Sequence, residues 1–167
     1  EGLKVLLVRD PRDALVSQYF SDAFSHKLPK ADALNPEGRK QFIEKRAAAQ
    51  AASIDDYVLA KAGGMNATLL EFGEYLNDKK LLLLKYEQVI FQKRWMINKI
   101  CNHFGWVFHP GKVDNLMKTL HVIPSAEDEK KFVRKAIPGD HEEKLKPETI
   151  KKLNIKLAKS LEMFDYY

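Results

Sequence analysis

The chain has 167 residues, 45% of them hydrophobic and 31% charged, with a formal net charge of +5. This length suits a single domain, residues 1–167, and the apolar fraction is sufficient for a core. The net positive charge fits an anionic ligand without identifying one. Its lysines lack the interleaved aromatic residues of a base-stacking surface, so we expect no nucleic-acid partner.

Three classes of site or segment are disfavoured by residue usage. Cys101 is the single cysteine, which excludes an internal disulfide and a cysteine-based zinc site. The five histidines show no metal-ligand pairing, so we expect no metal. No apolar run approaches the roughly eighteen residues of a membrane span, so we expect none in this segment.

The chain begins with a predicted strand and helix. Residues 3–9 form an apolar run that suits a strand buried on both faces, as in a parallel sheet. Residues 11–24 favour a helix, for which Asp10 suits the N-cap and Pro11 the first helical position. The unit is therefore a strand, a tight turn and a helix.

Between the two predicted strands the order is loop 25–36, helix 36–51, helix 54–61 and helix 66–76. Ser53 suits an N-cap, with Asp56 at the third helical position. Gly63-Gly64 predicts a break or bend between the last two helices.

The later part of the chain predicts strand 80–86, helix 91–104, helix 110–121, a charged loop over 122–140, and a last helix from Pro147 to about Met163. Gly105 is predicted to end helix 91–104. Strands that alternate with helices predict a parallel α/β sheet with right-handed crossovers. Because two strands are too few for a stable sheet, we expect further strands upstream and a domain that is incomplete at its amino end.

Arg9 lies at the carboxyl end of the first predicted strand, where open α/β sheets bind ligands. Its guanidinium matches a phosphate or a carboxylate. Ser17 lies about two turns up the helix, so an anion shared with Arg9 would lie beside the helix. Alternatively, Arg9 pairs with Asp13 and Ser17 is a packing residue, and the spacing leaves both interpretations open. Arg12 is a rival anion ligand, although its position predicts an outward side chain.

Three motifs resemble those of one enzyme family. The segment Arg9-Asp10-Pro11-Arg12-Asp13, with Ser17 after three more residues, is similar to the 3′-phosphate-binding segment of sulfotransferases that use 3′-phosphoadenosine 5′-phosphosulfate (PAPS). Residues 81–87 resemble the family's later strand ending in Tyr-Glu, and residues 132–140 resemble its Arg-Lys-Gly loop followed by Gly-Asp. The three occur in the family's order over nearly the whole chain.

The resemblance implies that six residues bind the cofactor: Arg9, Ser17, Tyr86, Arg134, Lys135 and Ala136. Arg9 and Ser17 would grip the 3′-phosphate, Tyr86 would contact the adenine, and Arg134 with its neighbouring backbone would close over the phosphate. Ala136 replaces the family's glycine and is strained if the position needs a positive φ. His141 stands where many members have tryptophan, and we expect it to be structural or solvated and not a general base.

The resemblance also implies a fold and a reaction. The fold would be α/β, a partial P-loop-like parallel sheet flanked by helices, with residues 25–76 as a helical insertion on the acceptor side. The reaction would transfer a sulfuryl group from PAPS to an acceptor hydroxyl or amine, leaving adenosine 3′,5′-bisphosphate (PAP). The family's phosphosulfate loop and catalytic base lie upstream of the arginine strand. We therefore expect no catalytic residue in this segment and no turnover by it alone.

Two other functions stay open from the sequence. One is a nucleotide or small-molecule kinase of related architecture, which would depend on magnesium. The other is a non-catalytic α/β module that binds an acidic partner. The acceptor, a small molecule or a carbohydrate, is not readable, and a homodimer is compatible with the sequence. The single cysteine favours the cytoplasm, with the Golgi lumen or secretory route as the alternative.

Overall fold

The computed structural model describes residues 2–27, 35–120, 123–124, 126–131 and 133–167. The predictions for residues 28–34 of the first loop, for His121 and Val122, and for Phe132 of the late loop lie outside the described residues.

The described sheet consists of two parallel strands, β1 (Lys4–Val8) and β2 (Leu81–Lys85). Their register pairs Lys4 with Leu81 and Val8 with Lys85. Both strands therefore end at the same edge of the sheet. The predicted parallel α/β arrangement is confirmed, and the residues that follow each strand are neighbours in space.

Helix α1 (Pro11–Phe20) follows β1 directly and continues into a short π-helical turn, Ser21–Ser25. As predicted, Asp10 is the N-cap, and its side chain accepts a hydrogen bond of 2.9 Å from the backbone N–H of Arg12. Pro11 is the first helical residue, where its missing N–H costs nothing. These local rules fix the direction in which α1 leaves the strand.

Two long helices follow, α2 (Pro36–Ala51) and α3 (Ile54–Gly73). The predicted cap of α3 is confirmed, since the Ser53 hydroxyl accepts a 3.1 Å hydrogen bond from the backbone N–H of Asp56. The predicted break at Gly63-Gly64 is wrong, because α3 continues through both glycines. Each glycine costs about 1 kcal/mol in a helix, and packing of α3 against α1 and the carboxyl-terminal helices outweighs that cost.

After β2 the chain forms α4 (Tyr86–Val89), α5 (Lys93–Phe104) and α6 (Pro110–Leu120). The strand prediction ran one residue too far, because Tyr86 begins α4 instead of ending β2. Gly105 ends α5 as predicted, in the left-handed conformation with φ of 68°.

The last elements are α7 (Asp140–Lys144), α8 (Pro147–Lys156) and α9 (Ala158–Met163). The prediction of one uninterrupted final helix is wrong, since the backbone leaves helical geometry at Leu157, with φ −102° and ψ 3°. One buried apolar face continues across that interruption. Leu153, Leu157 and Leu161 are completely buried.

One layer of helices packs against one face of the sheet. Its main core contains Leu15 and Val58, and a second cluster joins Val8 of β1 to Phe164 after α9. The prediction that the first strand is buried on both faces is wrong. Alternate side chains point away from these helices, which leaves Val5 38% and Leu7 51% exposed.

Across the described residues, no helix combines the length and the apolar character needed to cross a membrane.

Candidate functional site

A cavity of about 560 Å³ lies where the ends of β1 and β2 meet α1 and the loop before α7. All six residues singled out from the sequence line it: Arg9, Ser17, Tyr86, Arg134, Lys135 and Ala136. They come from three separate parts of the chain. The structure therefore brings the predicted residues together, and their binding of a nucleotide stays a prediction.

Arg9 contacts both Ser17 and Asp13, the two residues that its alternative interpretations involve. Its Nη1 donates a 2.8 Å hydrogen bond to the Ser17 hydroxyl, and its Nη2 lies 4.0 Å from a carboxylate oxygen of Asp13. The guanidinium also lies over the ring of Tyr86, 4.5 Å from the ring centroid. Its Nε is buried and makes no hydrogen bond within the described chain. Arg9 thus has one buried polar donor that the described residues do not satisfy.

Tyr86 is the first residue of α4, directly after the strand that pairs with β1. Burial raises the pKa of its phenol, and the positive charge of Arg9 opposes that increase only in part. The side chain is therefore a neutral phenol at physiological pH. Its ring supplies a cation–π contact to Arg9.

Arg134 is buried at the cavity wall, with its guanidinium 4.1 Å from the centroid of the Phe20 ring. It forms ion pairs with Glu127 and Asp140. Burial opposes ionisation of Glu127, but its contacts with Lys144 and Arg134 outweigh burial and lower the pKa of Glu127. The charge of Arg134 is therefore already balanced by carboxylates, which the sequence did not indicate.

Lys135 is held in the same way. Its Nζ lies 3.2 Å from Asp140 and 2.6 Å from Glu143. Burial opposes its charge, but the hydrogen bonds to the two carboxylates outweigh burial and raise the pKa of the amine. The late loop thus forms a network of ion pairs along one wall of the cavity.

Ala136 has a φ of 57°, in the left-handed region. This is the position at which the resembled loop carries glycine. An L-residue with a Cβ atom is disfavoured there by roughly 1 kcal/mol. From the sequence, Ala136 was expected to be strained if its φ is positive. Its φ is positive, so the strain is present.

Arg12 does not point outward, so that prediction is wrong. Its guanidinium pairs with Asp10 at 2.6 Å and donates hydrogen bonds of 2.9 Å to Asn154 and to the backbone oxygen of Tyr166. These contacts tie the start of α1 to the end of the chain. Arg12 is not among the residues that line the cavity.

Several other residues line the cavity without having been predicted as site residues from the sequence, and they include Phe20, Ser21, Ser25, Lys93 and Thr119. Ser21 and Ser25 follow Ser17 at intervals of four, a spacing that places residues on one side of a helix and could have identified them. Lys93 and Thr119 come from α5 and α6. Only tertiary packing brings them to the cavity, and no local pattern marks them.

A second, wider cavity of about 940 Å³ borders Phe24 and the described parts of residues 124–133, and none of the six predicted residues lines it. Within the ranges that the structure describes, no three His, Cys, Asp or Glu side chains are grouped to hold a metal ion. Of these two cavities, only the one at Arg9 is lined by the predicted cofactor-binding residues.

The sulfotransferase domain family matches residues 3–163, so this chain belongs to the sulfotransferase family. Its fold is similar to that of mouse sulfotransferase SULT7A1, whose crystal structure is of a complex with PAP. The TM-score is 0.57 at 16% sequence identity, over 97% of this chain and 61% of that one. The chain thus spans less than two thirds of the length of that relative, and the likeness concerns the fold. Among curated proteins, none matches the chain.

Proposed function

We propose that this chain forms the 3′-phosphate and adenine side of a PAPS site in a sulfotransferase. The observation that carries the proposal is the convergence of Arg9, Ser17 and the 134–136 segment on one cavity. Family membership and the PAP in the similar mouse structure support the same nucleotide.

The surroundings of Arg9 fit a phosphate. Its guanidinium is permanently charged, its Nε is buried without a partner in the described chain, and its neighbour Ser17 offers a hydroxyl. Hydrogen bonds between charged groups contribute roughly 1.5–3 kcal/mol each. The volume of about 560 Å³ lies in the usual range for small-ligand sites. We assign Arg9 as the main cation for the 3′-phosphate.

Tyr86 and the late loop complete the proposed site. Tyr86 would contact the adenine with the edge of its ring or with the ring face that Arg9 does not cover. Arg134 and Lys135 would shape the phosphate wall, and their ion pairs with Asp140 reduce the net charge that they add. Ala136 would bring backbone close to the nucleotide.

The reaction follows from this assignment. The bond between sulfur and the oxygen of the 5′-phosphate breaks, a bond forms from sulfur to the acceptor oxygen or nitrogen, and PAP leaves. The six residues would hold the donor so that sulfur faces the acceptor. The acceptor's proton must pass to a base that is not among them. Residues 25–76 would border an acceptor that is a small molecule or a carbohydrate.

Isothermal titration of PAP into the intact protein tests the proposal. We expect Arg9→Ala to weaken binding at least about tenfold, because a charge-assisted contact is lost. Arg39→Ala on α2, away from the cavity, is the control and should bind normally. Chelation of magnesium should leave binding unchanged, whereas a kinase site would need the metal. Equal affinity of the Arg9→Ala and wild-type proteins would refute the assignment.

A further inference from the structure

Asp13 is a buried carboxylate that connects the two sides of the cavity. It lies in the first turn of α1 and is 1% exposed. It accepts hydrogen bonds from three donors of the turn at residues 139–141, which leads into α7: the Gly139 N–H at 2.6 Å, the His141 N–H at 2.9 Å and the His141 ring Nδ1 at 2.6 Å. Because an ionised carboxylate only accepts hydrogen bonds, Nδ1 of His141 carries a proton.

The hydrogen bonds of Asp13 keep it charged in the interior. Burial alone would raise the pKa of Asp13, but the hydrogen bonds from His141 and Gly139 outweigh burial and lower it. The two carboxylate oxygens divide the donors, since Oδ2 receives Gly139 and Oδ1 receives both groups of His141. An amide in place of the carboxylate would turn an N–H₂ group toward one set of donors.

The turn at residues 139–141, which is hydrogen-bonded to Asp13, contains Asp140. Asp140 in turn pairs with the two cations of the late loop. Gly139 has a φ of 86°, which allows the sharp turn before α7. Asp140, between the two backbone donors, is buried and pairs with Arg134 and with Lys135. The connection therefore runs from Asp13 through the turn to Asp140, and from Asp140 to both cations at the cavity.

We infer that Asp13 is a positioning residue of the nucleotide site, with His141 as its partner. Asp13 does not line the cavity, but Arg9 lies 4.0 Å from it on one side and the 139–141 turn bonds it on the other. It thereby sets the separation between the Arg9 side and the Arg134 side. The inference rests on the proposed function and specifies which residue makes that site fit a 3′-phosphate.

The test compares two probes on the intact protein: PAP, and adenosine 5′-monophosphate, which lacks the 3′-phosphate. We expect Asp13→Asn to weaken PAP at least about tenfold and the monophosphate less than about twofold. A role in stability alone would weaken both probes equally. Asp55→Asn is the matched control, because Asp55 also accepts a backbone hydrogen bond across the fold, from Lys146 at 3.0 Å, but does not line the cavity.

His141 supplies a second pair of variants in case Asp13→Asn does not fold. His141→Asn keeps a donor near the position of Nδ1 and should retain most of the preference for PAP over the monophosphate. His141→Leu removes that donor, so this variant should lose the preference for PAP over the monophosphate. An unchanged preference in folded Asp13→Asn, or in His141→Leu when only that variant folds, overturns the positioning role. Failure of the wild-type protein to bind PAP would instead overturn the proposed function.

Discussion

At the scale of residues, the two arginines of the cavity differ in how their charges are balanced. Each guanidinium lies over an aromatic ring, Arg9 over Tyr86 and Arg134 over Phe20. Among the residues that the structure describes, two carboxylates pair with Arg134, whereas Arg9 has one at 4.0 Å. The proximity of Arg9 and Ser17 could be predicted from the sequence because both belong to one strand–turn–helix unit. Glu127 and Asp140 lie seven and six residues from Arg134. The described residues between them form an irregular loop without a helix or strand period, so spacing alone did not assign them.

Glu127 competes with any anion for Arg134. We expect Glu127→Gln to strengthen PAP binding by about two- to tenfold, because the substitution removes a charged partner of Arg134 and raises the local positive potential. Titration calorimetry measures the change. Glu44→Gln, which alters a surface pair with Lys40 on α2, is the control. Weaker binding by Glu127→Gln would show that Glu127 supports the site instead.

Ala136 supplies a prediction about backbone strain. Its φ of 57° suits glycine, so Ala136→Gly should raise the free energy of unfolding by about 0.5–1 kcal/mol. Ala47→Gly, in the exposed part of α2, should lower that energy by a similar amount. Urea denaturation of both variants measures the two changes in the free energy of unfolding. Destabilisation by both substitutions would contradict the left-handed conformation at residue 136.

At the scale of elements, the chain obeys local rules at helix ends and departs from them in helix interiors. Asp10, Ser53 and Gly105 cap their helices as predicted, because capping depends on side chains within a few residues. Gly63-Gly64 does not break α3, because contacts with distant helices stabilise the helix there. The sequence shows the local cost of a glycine but not the tertiary contacts that offset it.

The glycines of α3 permit a direct test of that explanation. Gly63→Ala and Gly64→Ala should each stabilise the protein by about 0.5–1 kcal/mol, because an added Cβ meets open space at both positions. Gly73→Ala at the end of the same helix should give no gain, since its Cβ would meet the Met163 side chain. Thermal unfolding measures all three. Equal gains from all three would contradict the packing at Met163.

The connection between α1 and α7 should depend on pH. Because folding lowers the pKa of Asp13 from its ordinary value of 3.8, its ionised form stabilises the protein at higher pH. That contribution is lost as the pH falls through the folded value. The difference in unfolding free energy between wild type and Asp13→Asn should be large above about pH 5 and shrink toward about pH 3. A difference that grows as the pH falls from about 5 to about 3 would contradict the hydrogen-bonded carboxylate.

At the scale of the whole molecule, the order of strands and helices predicted the parallel pairing and the sheet edge where the candidate cavity lies. The cavity could be anticipated from the sequence because residues that follow parallel strands meet at one edge. Three features were not readable: the exposure of Val5 and Leu7, the inward pairing of Arg12, and the contributions of Lys93 and Thr119. Each depends on which distant helices pack where.

A crystal structure of the intact protein with PAP tests the central claim most directly. We predict that oxygens of the 3′-phosphate lie within hydrogen-bonding distance, about 2.7–3.2 Å, of the Arg9 guanidinium and the Ser17 hydroxyl, with the nucleotide in the cavity that Arg134 borders. A nucleotide bound in that crystal with its 3′-phosphate away from both side chains, or in another cavity, would contradict the account.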